Sequence, residues 1–245
     1  MAERWRPGRL SSVSGAFALV LFALLAIAVQ SRALADFDRE VMLGLQGPDV
    51  WWLITWATFT GVVASGPVSI ACFVLASYLL SREGSERWWV PLAALALVTA
   101  VELLLKSALD QRGEDLYQFV RRTFYPFVTV EMAGTFPSGH TARAALLLVF
   151  LWRWLPRGRW GDGASVLGLA ALSVAIGFSR IYVGDHWPSD VLGGLLLGGG
   201  VGLLATPLLA TFPLRTDASG PEGERIVPAS RSRWAAPGST KRRGQ

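Results

Sequence analysis

The chain of 245 residues is 52% hydrophobic, has a mean hydropathy of +0.40 and carries a formal net charge of +5. Its uncharged runs of roughly 15 to 20 residues exclude an ordinary soluble domain, because only a helix of about that length satisfies its own backbone across hydrocarbon. The basic balance comes with no nucleic-acid-reading motif, so no nucleic acid partner is expected, and the single cysteine, Cys72, excludes a disulfide within the chain. Cys72 lies in an apolar run and reads as a small buried hydrophobe.

A basic N-terminal segment, residues 1–12, leads into a first apolar span at 13–31. Because Ala33 to Ala35 read ALA, a cleaved secretory signal is the alternative for this segment, although its apolar core is long for one. The loop that follows is acidic, with Asp36, Asp38, Glu40 and Asp49. The aromatic stretch WWLITWATFTG, residues 51–61, is either an interfacial segment or the first turns of a second span at 61–80. Further helical spans are expected at 89–107, 141–155, 164–181 and 188–212. The expectation is an all-α polytopic protein with one six-helix membrane domain over residues 13–212. Residues 213–245 are rich in Gly, Pro, Ser and Arg, lack apolar periodicity and read as a disordered basic tail.

The basic residues set the expected orientation. Arg4, Arg6 and Arg9, then Arg82 and Arg87, then Arg153, Arg157 and Arg159, then the seven Arg and Lys residues of the tail all fall on one side, which is 15 of the 23. Both termini are therefore expected in the cytoplasm of a bacterial-type inner membrane. Trp51, Trp52, Trp56, Trp88, Trp89, Trp152, Trp154, Trp160 and Trp187 fall near span ends and read as an aromatic belt. The glycines of GGLLLGGGVG, among them Gly194 and Gly198, are expected to let helices approach closely.

The chain has two histidines, and each lies in a polar cluster at the outer end of an expected span: His140 in FPSGHTAR and His186 in SRIYVGDHWPSD. Lys106 ends the third span on the same side. Snorkelling or helix capping accounts for any one of these residues alone, but not for Lys106, Ser138, His140, Arg180, His186 and Asp190 gathered at one membrane face. Lys106, Arg112 and Arg180, with a Ser-Gly turn at a helix start, suit a small multiply charged anion such as phosphate. Asp190 follows His186 by four residues, about one helical turn if a helix starts at Pro188. Its carboxylate could then accept the imidazole N–H and leave the other ring nitrogen to act as a nucleophile, with His140 protonating the departing oxygen. No carboxylates or cysteines have metal-site spacing, so no metal or other cofactor is expected; a two-histidine metal site is the alternative, which the nearby arginines disfavour.

These residues resemble the type 2 phosphatidic acid phosphatase (PAP2) family, integral-membrane lipid phosphatases that share a fold with vanadium haloperoxidases. The family's second motif, P-S-G-H, is matched by Pro137, Ser138, Gly139 and His140, and its third, S-R-x5-H-x3-D, by Ser179, Arg180, His186 and Asp190. The first, K-x6-R-P, is matched only at Lys106: Arg112 comes one position early, Gly113 stands where the family has arginine, and the proline is missing. Either Arg112 still reaches the site, or Arg121 or Arg122 takes its place, or the phosphate has one clamp fewer. The resemblance, over roughly residues 60–212, implies a six-helix bundle with its site near the outer leaflet. It implies His186 as the nucleophile, Asp190 as its orienting partner and His140 as the general acid. It further implies a phosphate cradle of Lys106, Arg112, Ser138, Gly139 and Arg180. The substrate it implies is a phospholipid or polyprenyl phosphate; a haloperoxidase-like enzyme and a non-catalytic lipid-phosphate binding or transport protein are the alternatives.

Overall fold

The computed structural model describes residues 8–45, 50–109, 134–154 and 161–209, and the regular elements among them are eight helices. In chain order these are α1 (Gly8–Gln30), α2 (Ala35–Leu45), α3 (Trp51–Val63), α4 (Gly66–Arg82), α5 (Val90–Ala108), α6 (Gly139–Trp154), α7 (Gly161–Tyr182) and α8 (Pro188–Leu209). Four of them, α1, α5, α7 and α8, are long and apolar enough to cross a membrane. The pair α3 and α4 passes the same test together, bent by 52° at its break, and α6 is a shorter apolar helix. The expected 213–245 tail lies outside the described residues.

The break between α3 and α4 has a local cause. Gly66 precedes Pro67, a position that disfavours helix, and Ser65 is extended with ψ 157°, so α3 closes at Ala64 and α4 restarts with proline in its first turn. The aromatic stretch at 51–61 is accordingly a helix of its own rather than the first turns of a straight span. A second helix unforeseen in the sequence is α2. Asp38 and Met42 lie one turn apart on its buried face, and Met42 packs with Ile181, Trp187 and Val191.

The last helix, α8, is the most enclosed of the membrane-length helices and touches α1, α5, α6 and α7. Small residues make this possible. A methyl group on Gly194 would run into Ser138 and Thr141, and one on Gly198 would overlap the backbone of Ala142, so α6 and α8 meet almost backbone to backbone. Aromatic pairs fill the remaining space: Phe22 of α1 stacks on Phe136 at 5.7 Å, and Phe73 of α4 meets Phe150 of α6 edge-on at 5.9 Å.

Two expectations need correction. Trp51 is 76% exposed and fits a belt, but Trp187 is only 8% exposed, buried under α2, because its ring seals the core beside the α8 start. Cys72 is half-buried on α4 rather than enclosed.

Candidate active site

The end of α5, the start of α6, the end of α7 and the start of α8 converge at one end of the bundle. The α7–α8 connection is built locally. Gly184 has a φ of 76°, a left-handed conformation that glycine adopts without strain, and with it the Asp185 N–H bonds to the Arg180 carbonyl at 3.0 Å and the Gly184 N–H to the Ile181 carbonyl at 3.0 Å. This closure reverses the chain within a few residues. Pro188 then opens α8 at a position where a missing N–H costs nothing.

The turn sets His186 beside Asp190. The imidazole Nδ1 lies 3.3 Å from Asp190 Oδ2, and that oxygen also accepts the Trp187 N–H at 2.9 Å. Asp190 is fully buried, and its Oδ1 has no hydrogen-bond partner among the described residues. A carboxylate so placed favours the tautomer with the proton on Nδ1, which leaves Nε2 free for chemistry. The second histidine faces this pair: the His140 and His186 ring centroids are 6.4 Å apart, with the rings inclined at 60°.

His140 is the second residue of α6, which Gly139 opens just after Ser138. Ser138 is fully buried and caps the helix, its Oγ accepting the Thr141 N–H at 3.4 Å and lying 3.0 Å from Thr141 Oγ1. The Ser138 N–H bonds to the Asp190 main-chain carbonyl at 2.9 Å, which ties the start of α6 to the start of α8. Both expected motifs thus share one hydrogen-bonded floor. Arg143, Arg180, Lys106 and His186 all act electrostatically on His140.

Arg180 is fully buried, and its guanidinium is held by several partners at once. Nη1 bonds to Asp185 Oδ2 at 3.2 Å, Nε to Ser179 Oγ at 3.2 Å, and Nη2 to the Ala57 carbonyl and to Thr60 Oγ1 of α3. Thr60 Oγ1 in turn lies 2.8 Å from Ser179 Oγ. The broken helix α3 is therefore the seat of this arginine. Lys106 reaches the site from the end of α5, its Nζ 2.9 Å from Glu102 Oε1. Arg112, with Arg121 and Arg122, lies outside the described residues.

Four charged residues join the site that sequence reasoning did not single out as functional: Asp185, which holds Arg180, and Glu102, Arg143 and Asp38. Glu102 pairs with Lys106 and also with Arg143, whose Nη1 is 2.7 Å from Glu102 Oε2. The i,i+4 spacing of Glu102 and Lys106 was a readable signal; the pairing with Arg143, 41 residues away, was not. Asp38 of α2 takes the Ser189 N–H on Oδ1 at 2.8 Å and the Ser189 hydroxyl on Oδ2 at 2.6 Å. It caps α8 from a distant segment, a role that α8 lacks a preceding residue to fill, because Trp187 is there. Burial pushes the Asp38 carboxyl up to about 6, repulsion from Asp190 adds to this, and the Ser189 bonds oppose it.

Among the described residues no three His, Cys, Asp or Glu side chains gather as a metal site requires. What converges instead is a histidine backed by a carboxylate, a second histidine across from it, and three cations held by carboxylates. Such a set can offer a nitrogen nucleophile, a proton donor and positive charge to a tetrahedral anion.

Comparison with known proteins identifies the family of the chain. Residues 87–213, about half the chain, match the model of the PAP2 superfamily. The chain is 30% identical to phosphatidylglycerophosphatase B of Bacillus subtilis over 186 residues, 73% of this chain and 86% of that protein. It is 28% identical to an undecaprenyl-diphosphatase of Sulfolobus acidocaldarius over 151 residues, 56% of this chain and 70% of that protein. The crystal structure of a transmembrane PAP2 type phosphatidylglycerolphosphate phosphatase from Bacillus subtilis superposes with a TM-score of 0.58, covering 82% of this chain and 98% of that one at 23% identity. The family model and a relative aligned along most of both chains agree: this integral membrane protein belongs to the PAP2 superfamily.

Proposed function

We propose that this PAP2-type phosphatase hydrolyses the terminal phosphate of a membrane lipid through a phosphohistidine on His186, without a metal ion. The observation that carries the reading is the carboxylate-backed His186 facing His140 across 6.4 Å between membrane-length helices. In the first half-reaction His186 Nε2 attacks phosphorus, the bond to the lipid oxygen breaks, and His140 gives that oxygen its proton. Asp190 stabilises the positive charge that appears on His186. In the second half-reaction His140 takes a proton from water, the oxygen attacks the phosphohistidine, and inorganic phosphate leaves with His186 restored. Lys106, Arg180 and the start of α6 offset the charge on the phosphoryl oxygens, with Arg112 assigned to the same cradle.

The two relatives named above act, by their names, on an undecaprenyl diphosphate and on phosphatidylglycerophosphate. Both compounds carry a terminal phosphate on a large apolar body, and that class is the substrate assigned to this chain. Counting α3 with α4 as one span and α6 as another brings the spans to six. The distribution of basic segments supports an orientation with both termini in the cytoplasm and the histidines at the outer face. In a Cys72→Ala background, Asp115→Cys should react with an impermeant thiol reagent on intact cells and Glu83→Cys should not; the reverse pattern would invert the protein.

The deciding experiment measures phosphate release by purified protein in detergent from undecaprenyl diphosphate, phosphatidylglycerophosphate and phosphatidic acid. Release from at least one, abolished in His186→Ala and unaffected by EDTA, is expected. Lipid binding without release would favour a binding or transport protein, vanadate-dependent halide oxidation a haloperoxidase, and activity lost to EDTA and restored by magnesium would overturn the metal-free scheme.

A further inference from the structure

Glu102 is a carboxylate inside a membrane-length helix, only 5% exposed, and the proposed reaction makes no use of it. Its two oxygens serve two cations on two helices: Oε1 takes Lys106 Nζ of its own α5 at 2.9 Å, and Oε2 takes Arg143 Nη1 of α6 at 2.7 Å. The carboxylate lies directly against Gly139, where any side chain would overlap it. Gly139 is the first residue of α6 and the neighbour of His140. Arg143 is anchored from its other side, its Nε lying 3.4 Å from the Ala64 carbonyl at the α3–α4 break.

Placing an acid among apolar helices is costly, and an apolar pair would join α5 to α6 without that cost. The arrangement is more economical as a device acting on the lysine. An ammonium bonded to a carboxylate is only partly available to a phosphate, and a carboxylate shared with an arginine holds it less firmly than one devoted to it alone. Resting on the lipid-phosphatase reading above, we infer that Glu102 is a positioning residue that competes with the substrate phosphate for Lys106, and that Arg143 sets the strength of that competition. The carboxylate holds the ammonium at the α6 start, yields it to an arriving phosphoryl oxygen, and takes it back as inorganic phosphate departs. Glu102 therefore governs product release.

The test is inhibition of turnover by inorganic phosphate, measured as Ki beside kcat and KM in detergent, with melting curves to confirm folding. Glu102→Gln removes the competitor, so Ki should fall about tenfold, the effect of one charged hydrogen bond, while kcat falls because product leaves slowly. Arg143→Gln gives the carboxylate wholly to Lys106, so Ki should rise by a similar factor. Opposite signs exclude a simple staple between α5 and α6, which would make both variants alike, and their loss in a Lys106→Gln background separates competition for the ammonium from a bare change of charge near the phosphate. Shifts in the same direction, or none, would overturn the inference. If either single variant fails to fold because it strands a buried charge, the Glu102→Gln/Arg143→Gln double variant removes one charge of each sign and leaves only the Lys106 ammonium, open to the phosphate. It should show a Ki below that of the unmodified protein, and an unchanged Ki would overturn the inference. Failure of the unmodified protein to hydrolyse any lipid phosphate would overturn the functional reading and this inference together; turnover with unmoved Ki values overturns this one alone.

Discussion

The turn between α7 and α8 and the ledge between α5 and α6 both gather charge inside an apolar bundle, and they do it by opposite means. In the turn, Arg180, Asp185, His186 and Asp190 fall within eleven consecutive residues, and a left-handed glycine with a proline-opened helix brings them together. On the ledge, Glu102 and Arg143 are 41 residues apart and meet only because α5 and α6 pack side by side. A site built from one turn is set by short-range backbone geometry and loses little entropy on assembly beyond its own residues. A site built across helices depends on the whole bundle. The turn is thus suited to hold His186 with its carboxylate partner, and the ledge to tune the cations around them.

The largest expected contrast lies between the two histidines. His186→Ala should reduce turnover by several orders of magnitude for every substrate, because no nitrogen remains to form the covalent intermediate. Labelled substrate should then leave no acid-labile phosphate on the protein; undiminished trapping would remove His186 as the nucleophile. His140→Ala should cost about 10²–10⁴-fold with an alkyl phosphate, whose leaving oxygen is strongly basic, and much less with an activated aryl phosphate. Equal losses on both would show that His140 does not supply the leaving-group proton.

Smaller effects probe how far the turn folds on its own. Gly184→Val forces a β-branched residue to a φ of 76° and should cost on the order of 1–3 kcal/mol, seen as a lower Tm in detergent with the ledge residues unaltered. An unchanged Tm would mean that α2 and α3, not the glycine, hold the turn. The mildest test concerns the long-range cap. Asp38 has its carboxyl raised from the ordinary 3.8 to about 6, so its neutral form is favoured by folding. That contribution is fully present below pH 3.8 and disappears as pH rises through about 6. Asp38→Asn should flatten the fall in Tm over this window, and an unchanged pH profile would show that Asp38 carries no linkage.

Sequence periodicity placed six apolar segments close to where helices lie, because a run of apolar residues long enough to cross hydrocarbon has few other structures open to it. The pairing of His186 with Asp190 was legible for a similar reason: four residues along a helix bring two side chains to one face whatever the rest of the chain does. The small residues Gly194 and Gly198 likewise announced a close helix contact, although not which helix it would be.

Everything that depends on two distant segments meeting was decided by packing alone. No spacing rule links Asp38 to Ser189 across 151 residues, seats Arg180 on the Ala57 carbonyl of a helix that breaks before Pro67, or divides one carboxylate between Lys106 and Arg143. Local spacing names the reacting groups because a helical turn has a fixed geometry. Their partners emerge only when α8, with glycine in place of side chains, lets α6 come close enough for both motifs to share a hydrogen bond between Ser138 and Asp190.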